Sequence, residues 1–173
     1  MKIKGKTGRG ILKITHIFFS SLWVGGAIAV YLMTLFLGPG VTGEEAYGYA
    51  LAAKFVDDLV IVPGALGSLV SGVLICSLTG WGFFKHPFVA VKLVLTVLLV
   101  LSGVFFLGPH LNAQPELIAG AGLPALEDDA YRTHRFSSIL GGSLQILALL
   151  FTLSISTLKP WGKKGAKTEK KEG

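Results

Sequence analysis

Two ionisable side chains stand alone inside uncharged apolar runs. His16 lies in residues 11–37, which hold no formal charge past Lys13, and Lys92 is the only charged residue in 87–107. An ionisable group inside a membrane span is a functional-site hypothesis by default. Each stands five residues in from the start of its run. If both runs enter from the same side, each side chain starts about 7–8 Å deep at ~1.5 Å per residue. Two protonated bases would repel, so a joint task calls for a shared electrophile. Haem iron is the clearest one. Neutral imidazole is a common axial ligand, and an amine can serve when burial holds it neutral. Plainer readings stand beside this. The Lys92 stem can snorkel to the headgroups, His16 can be interfacial, and Trp23, seven residues further on, can be simple packing.

The elements that must position these residues are apolar and long. Residues 11–37, 58–79, 87–107 and 135–158 each reach or exceed the ~20 apolar residues that a bilayer core requires. They predict an all-α integral membrane protein with a four-helix bundle. Residues 1–10 form a basic tail, 11–161 the membrane domain and 162–173 a basic tail with too little apolar content to fold. Gly38-Pro39-Gly40 should stop the first span. Thr42-Gly-Glu-Glu45 has capping-box spacing and predicts a short interfacial helix over 44–57 that leads into span two. Pro63 is expected to kink that span. Gly108-Pro109 should end span three, leaving an irregular stretch to about residue 125 that holds Pro115, Pro124, Gly120 and Gly122.

Charge fixes the orientation. The mean hydropathy is +0.65 and only 15% of residues are charged. Lys2, Lys4, Lys6, Arg9 and Lys13 precede span one, and Lys159, Lys163, Lys164, Lys167, Lys170 and Lys171 follow span four. The net charge of +6 thus describes two juxtamembrane tails and not a nucleic-acid face. The positive-inside rule puts both termini in the cytoplasm, against an anionic leaflet, in a multi-pass protein of the cell's inner membrane. The basic start resembles a signal peptide, but its apolar run exceeds an h-region of ~7–15 residues and reads as a retained span. Cys76 is the only cysteine, so no intrachain disulfide forms; it reads as a small buried thiol.

Helical spacing gathers the polar groups. His16, Ser20, Trp23, Ala27 and Thr34 fall on one face of span one; Lys92, Thr96, Leu99 and Gly103 on one face of span three; Gln145, Thr152 and Ser156 on one line of span four. Gly64, Gly67, Ser68, Ser71 and Gly72 make one side of span two small, which reads as close helix packing. His86, His110 and His134 read as interfacial.

Three stretches resemble a known family. Lys13-Ile-Thr-His16 with Trp23 seven residues on, Pro63 through Gly80-Trp81 with His86-Pro-Phe-Val-Ala-Val-Lys92-Leu, and Tyr131-Arg132 with Leu158-Lys159-Pro160-Trp161 resemble marks of the HemJ-type protoporphyrinogen oxidases. These are small four-helix membrane proteins of haem synthesis. The likeness runs in order over most of 11–161. It implies haem b as cofactor, His16 and Lys92 as axial ligands of its iron, Trp23 as a cofactor contact, and a porphyrin or quinone as redox partner in the bilayer, with a homo-oligomer possible. Thr133-His134-Arg135-Phe136 stands where that family has an Asn-Glu-x-Pro run, so a haem-binding relative with another redox task is open. CopD-like membrane proteins share the general look, but Met1, Met33 and Cys76 are few soft ligands for copper. A transporter and a cofactor-free scaffold remain the alternatives.

Overall fold

A computed structural model describes residues 5–36, 41–79, 82–83, 86–121 and 126–158. Six α-helical segments follow one another: α1 (Lys6–Phe36), α2 (Gly43–Val56), α3 (Val62–Leu78), α4 (Pro87–Ser102), α5 (Gly108–Ala121) and α6 (Asp129–Leu158). The π-helical turn Asp57–Ile61 joins α2 to α3, and the π-helical turn Gly103–Leu107 joins α4 to α5. Four continuous helices result, each long and apolar enough to cross a membrane. The expected stop at 38–40, the closing Lys159-Pro160-Trp161 and the tails 1–4 and 162–173 lie outside the described residues.

Of the two expected connections, the first is found as a helix and the second is corrected. The helix predicted over 44–57 is real and starts where its cap says. Thr42 Oγ1 accepts from the Glu45 backbone N–H at 3.2 Å, and Glu45 accepts from the Thr42 N–H at 2.8 Å. It leads into span two as one continuous helix, running on through the π-turn into α3. Gly108-Pro109, by contrast, does not end span three. The helix continues to Ala121 with Pro115 inside it.

The physical reason is shared. A proline lacks the backbone donor and crowds the carbonyl four residues back. Pro63 and Pro109 each fall on the second residue after a π-turn. There the ladder is already widened: Val62 N–H bonds Asp57 O, and Gly108 N–H bonds Gly103 O, five residues back. The proline takes the place where a donor would be surplus, so the chain passes through without a break.

The four long helices pack in a ring. α1 lies against α3 and α6, and α4 lies against the same two, so α1 and α4 stand diagonally opposite. The 36-residue Gly43–Leu78 helix is about 54 Å long at ~1.5 Å per residue. That exceeds a ~30 Å hydrocarbon core. The surplus is a second storey in which α2 packs on α1 and α5, and α5 on α6, around Ala46, Ala50, Ile118 and Tyr131. Asp128 Oδ1 accepts from Ala130 N–H at 2.7 Å at the start of α6, an N-cap. Arg135 Nε donates to the Thr34 carbonyl at 3.3 Å near the end of α1.

Below this storey the outer surface is apolar. Phe18, Val70, Leu98, Phe105, Leu144 and Phe151 are all more than half exposed. In water so broad an apolar surface would be an association site; around four spanning helices it suits lipid. Inside, α1 and α3 approach very closely. A Cβ on Gly64 would lie 2.8 Å from the Trp23 backbone nitrogen and 3.1 Å from the Phe19 carbonyl oxygen. Only a residue without a side chain lets the two backbones meet there.

Candidate functional site

The inward polar faces separate into two places. At the end of the bundle near the start of α1, His16 turns onto α3. Its Nδ1 lies 3.1 Å from the Ser68 carbonyl oxygen and 2.9 Å from Ser71 Oγ. A carbonyl can only accept, so the ring hydrogen sits on Nδ1. Ser71 Oγ agrees, since it spends its own hydrogen on the Gly67 carbonyl at 2.6 Å. In the neutral ring Nε2 is then left with its lone pair, and it has no hydrogen-bond partner among the described residues. One side of the ring is close to α3, where a Cβ on Gly72 would stand 3.4 Å from Cε1. Ser20 Oγ and Ser68 Oγ, 2.8 Å apart, close the seam beside it.

Lys92 reaches from α4 to α6, where Nζ donates to Ser156 Oγ at 2.6 Å. It is half-buried. His16 and Lys92 thus come from diagonal helices towards one end of the bundle, each held by a different neighbour. No hydrogen bond links them. The free thiol of Cys76 is partly buried.

Trp23 does not join this pair. It is 3% exposed and lies seven residues further along α1, about 10 Å by helical rise. There it lines a cavity of about 380 Å³. Ala27 and Thr34 from α1, Leu99 from α4, Gly103 from the second π-turn and Gln145 from α6 line the same space. His16 and Lys92 do not. Both π-turns border this cavity, and such turns recur at functional sites. Two polar atoms on its wall are buried and unpartnered, Trp23 Nε1 and Gln145 Oε1.

The far end of the cavity is acidic. Asp57 and Asp58 line it together with Asn112. Lys54 Nζ bonds Asp58 Oδ2 and Asn112 Oδ1, both at 3.0 Å. The Asp57 carboxylate has no hydrogen-bond partner among the described residues. Above it, His110 and His134 meet Nδ1 to Nδ1 at 2.9 Å, so one ring must donate and the other accept. Among the described residues no group of three or more His, Cys, Asp or Glu side chains is placed to hold a metal ion by itself.

Several of these residues escape sequence reading. Ser68 and Ser71 read as part of a small packing face, yet they set the tautomer of His16. Their only signal was spacing, three residues apart on the side that faces span one. His110 and His134 read as separate interfacial residues, because nothing local pairs side chains 24 positions apart. No protein-family model matches the chain, and neither a curated protein nor a solved structure matches it.

Proposed function

We propose that this multi-pass membrane protein is a redox protein that holds one b-type haem between His16 and Lys92, in the HemJ-like manner. The observation that supports this reading best is the state of His16. An imidazole that gives its Nδ1 hydrogen to a backbone carbonyl and keeps Nε2 free has the arrangement usual for metal-ligating histidines. Ser71 reinforces that hydrogen bond and fixes the ring. The donor set fits haem on the Lys92 side too, provided that the amine is neutral and turns away from Ser156. Both roles belong to residues that stand alone in otherwise apolar spans, where polar groups mark function. Bound haem would supply one-electron exchange, with a porphyrin or quinone as partner in the bilayer. The chain's own part is to present the two ligands and exclude water from them. The basic ends put both termini, and with them this site, on the cytoplasmic side of the cell membrane.

The experiment is haem content and absorption spectrum of the purified protein and three variants, all made with the same haem supply. His16→Ala should abolish or greatly reduce retention. Lys92→Ala should leave a five-coordinate or water-ligated iron with a shifted Soret band. Lys92→Arg should not rescue it, because guanidinium stays protonated. Wild-type protein without haem, or His16→Ala with unchanged haem and spectrum, overturns the assignment. A transporter is the second reading, and the cavity bordered by both π-turns favours it, since such turns recur at functional sites.

A further inference from the structure

At the end of the bundle opposite His16, two imidazoles face each other across α5 and α6. His110 Nδ1 and His134 Nδ1 stand 2.9 Å apart, with the ring centroids separated by 5.0 Å. One hydrogen lies between the two nitrogens. Neither Nε2 has a hydrogen-bond partner among the described residues. Both rings are half-buried. Neither lines the cavity beside Trp23, and the haem reading uses neither.

The surroundings hold the pair in place. Phe106, one turn before His110, packs edge-on to its ring with centroids 4.9 Å apart. One turn after each histidine stand Gln114 and Ser138. Gln114 Nε2 donates to Ser138 Oγ at 2.9 Å and to the His110 carbonyl at 3.2 Å. Gln114 is 1% exposed, so this clamp ties α5 to α6 out of reach of water. Ligands held in place beforehand lose little freedom on binding.

Spacing and charge both suit a metal ion. Two nitrogens on one tetrahedral zinc at ~2.0–2.1 Å lie about 3.3 Å apart, so the observed 2.9 Å need open by only about 0.4 Å to admit it. Two neutral rings that both carry their hydrogen on Nε2 present two Nδ1 lone pairs, and no proton has to leave. Arg135, next to His134, is turned to the Thr34 and Leu35 carbonyls on α1. Residues 43–61 and 108–135 together hold eight Asp or Glu and three Lys or Arg, and such a balance draws cations to this end of the bundle. Imidazole selects zinc, copper or nickel over magnesium or calcium. Two protein ligands leave the shell open, so water completes it.

We propose that His110 and His134 form a two-imidazole site for a divalent transition-metal ion of the zinc class, taken from the water at this end of the bundle. Bound there, the ion bolts α5 to α6 in the second storey. The proposal does not rest on the haem reading.

The test is calorimetric titration of zinc into the tag-free full chain in lipid nanodiscs, with empty nanodiscs subtracted. X-ray absorption at the zinc edge is recorded on wild type loaded with one equivalent. One zinc should bind per chain, and magnesium should not compete for it. The shell should contain two imidazole nitrogens at ~2.0–2.1 Å, with oxygen and without sulfur. His110→Ala and His134→Ala should each weaken binding about tenfold or more, at least as much as loss of a supporting group does. His86→Ala should leave it unchanged. Zinc should raise the unfolding midpoint of wild type and of neither histidine variant. The absorption measurement needs wild type alone, so it decides the matter even where a variant does not fold. Absence of a stoichiometric site overturns the proposal, and so does unchanged affinity in either histidine variant. A shell with one imidazole or with sulfur also overturns it, since that places the ion elsewhere, as at His16 or Cys76.

Discussion

Adding one methyl group at Gly64 should loosen a close backbone contact between α1 and α3. The new Cβ would lie 2.8 Å from the Trp23 nitrogen, 3.1 Å from the Phe19 oxygen and 3.2 Å from Leu22 Cβ. Two of these three are backbone atoms, so no rotamer change relieves them. Ordinary contact begins near 3.4 Å, which leaves a shortfall of about 0.6 Å for the helices to open. A gap of that size forfeits about a quarter to a half of each dispersion well along the seam. Overpacking of this kind costs roughly 1–3 kcal/mol. Alanine returns about 0.5–1 kcal/mol through helix propensity. Gly64→Ala should therefore be less stable by about 1.2 kcal/mol, the difference between the midpoints of those two ranges. Gly48 supplies the opposite sign, because a Cβ there meets nothing within 4 Å. Gly48→Ala on exposed α2 should gain up to about 1 kcal/mol. Both are measured by reversible unfolding in mixed micelles, followed by helical circular dichroism. Gly64→Ala at or above wild-type stability would refute the close-approach argument.

Two further outcomes follow from individual hydrogen bonds. Tyr131 is 2% exposed and its hydroxyl has no partner among the described residues, so Tyr131→Phe should be neutral or stabilising by about 1 kcal/mol in the same unfolding assay, since it removes an unmet polar group; a loss of stability of about 1 kcal/mol or more would mean the hydroxyl is bonded. Thr42→Ala removes the side-chain half of the capping box, leaving the backbone N–H of residue 42 to Glu45, and should cost about 1 kcal/mol. Faster amide exchange confined to the first turn of α2 is the expected reading, and unchanged exchange there would show that the cap carries no weight.

What the sequence makes legible is what depends on near neighbours. Thr42 and Glu45 announce the start of α2 because a cap is made of residues three apart. The four long helices are visible because lipid demands unbroken apolar length. His16 and Lys92 are conspicuous because each is alone. Other features depend on distant partners. Pro63 and Pro109 read as a kink and a stop, since a proline is judged by the α-helical ladder; the π-turn that accommodates each one has no signature of its own. Ser68 and Ser71 are ambiguous between packing and hydrogen bonding until His16 is placed beside them. The cavity is the least legible feature of all. It is a space between residues such as Ile61 and Leu99, each of which reads as ordinary core.

The paired π-turns have a consequence for how this shape is inherited. Each is a dislocation in the hydrogen-bond ladder, one residue too many for the turns around it. A dislocation can glide along its row and vanish at the end unless something pins it. Pro63 and Pro109 are the pins. Each lies where the ladder returns from bonds five residues back to bonds four residues back, and each lacks the hydrogen that would let the fault pass. The outline of the interior is thus written partly in two residues that matter for an atom they do not have.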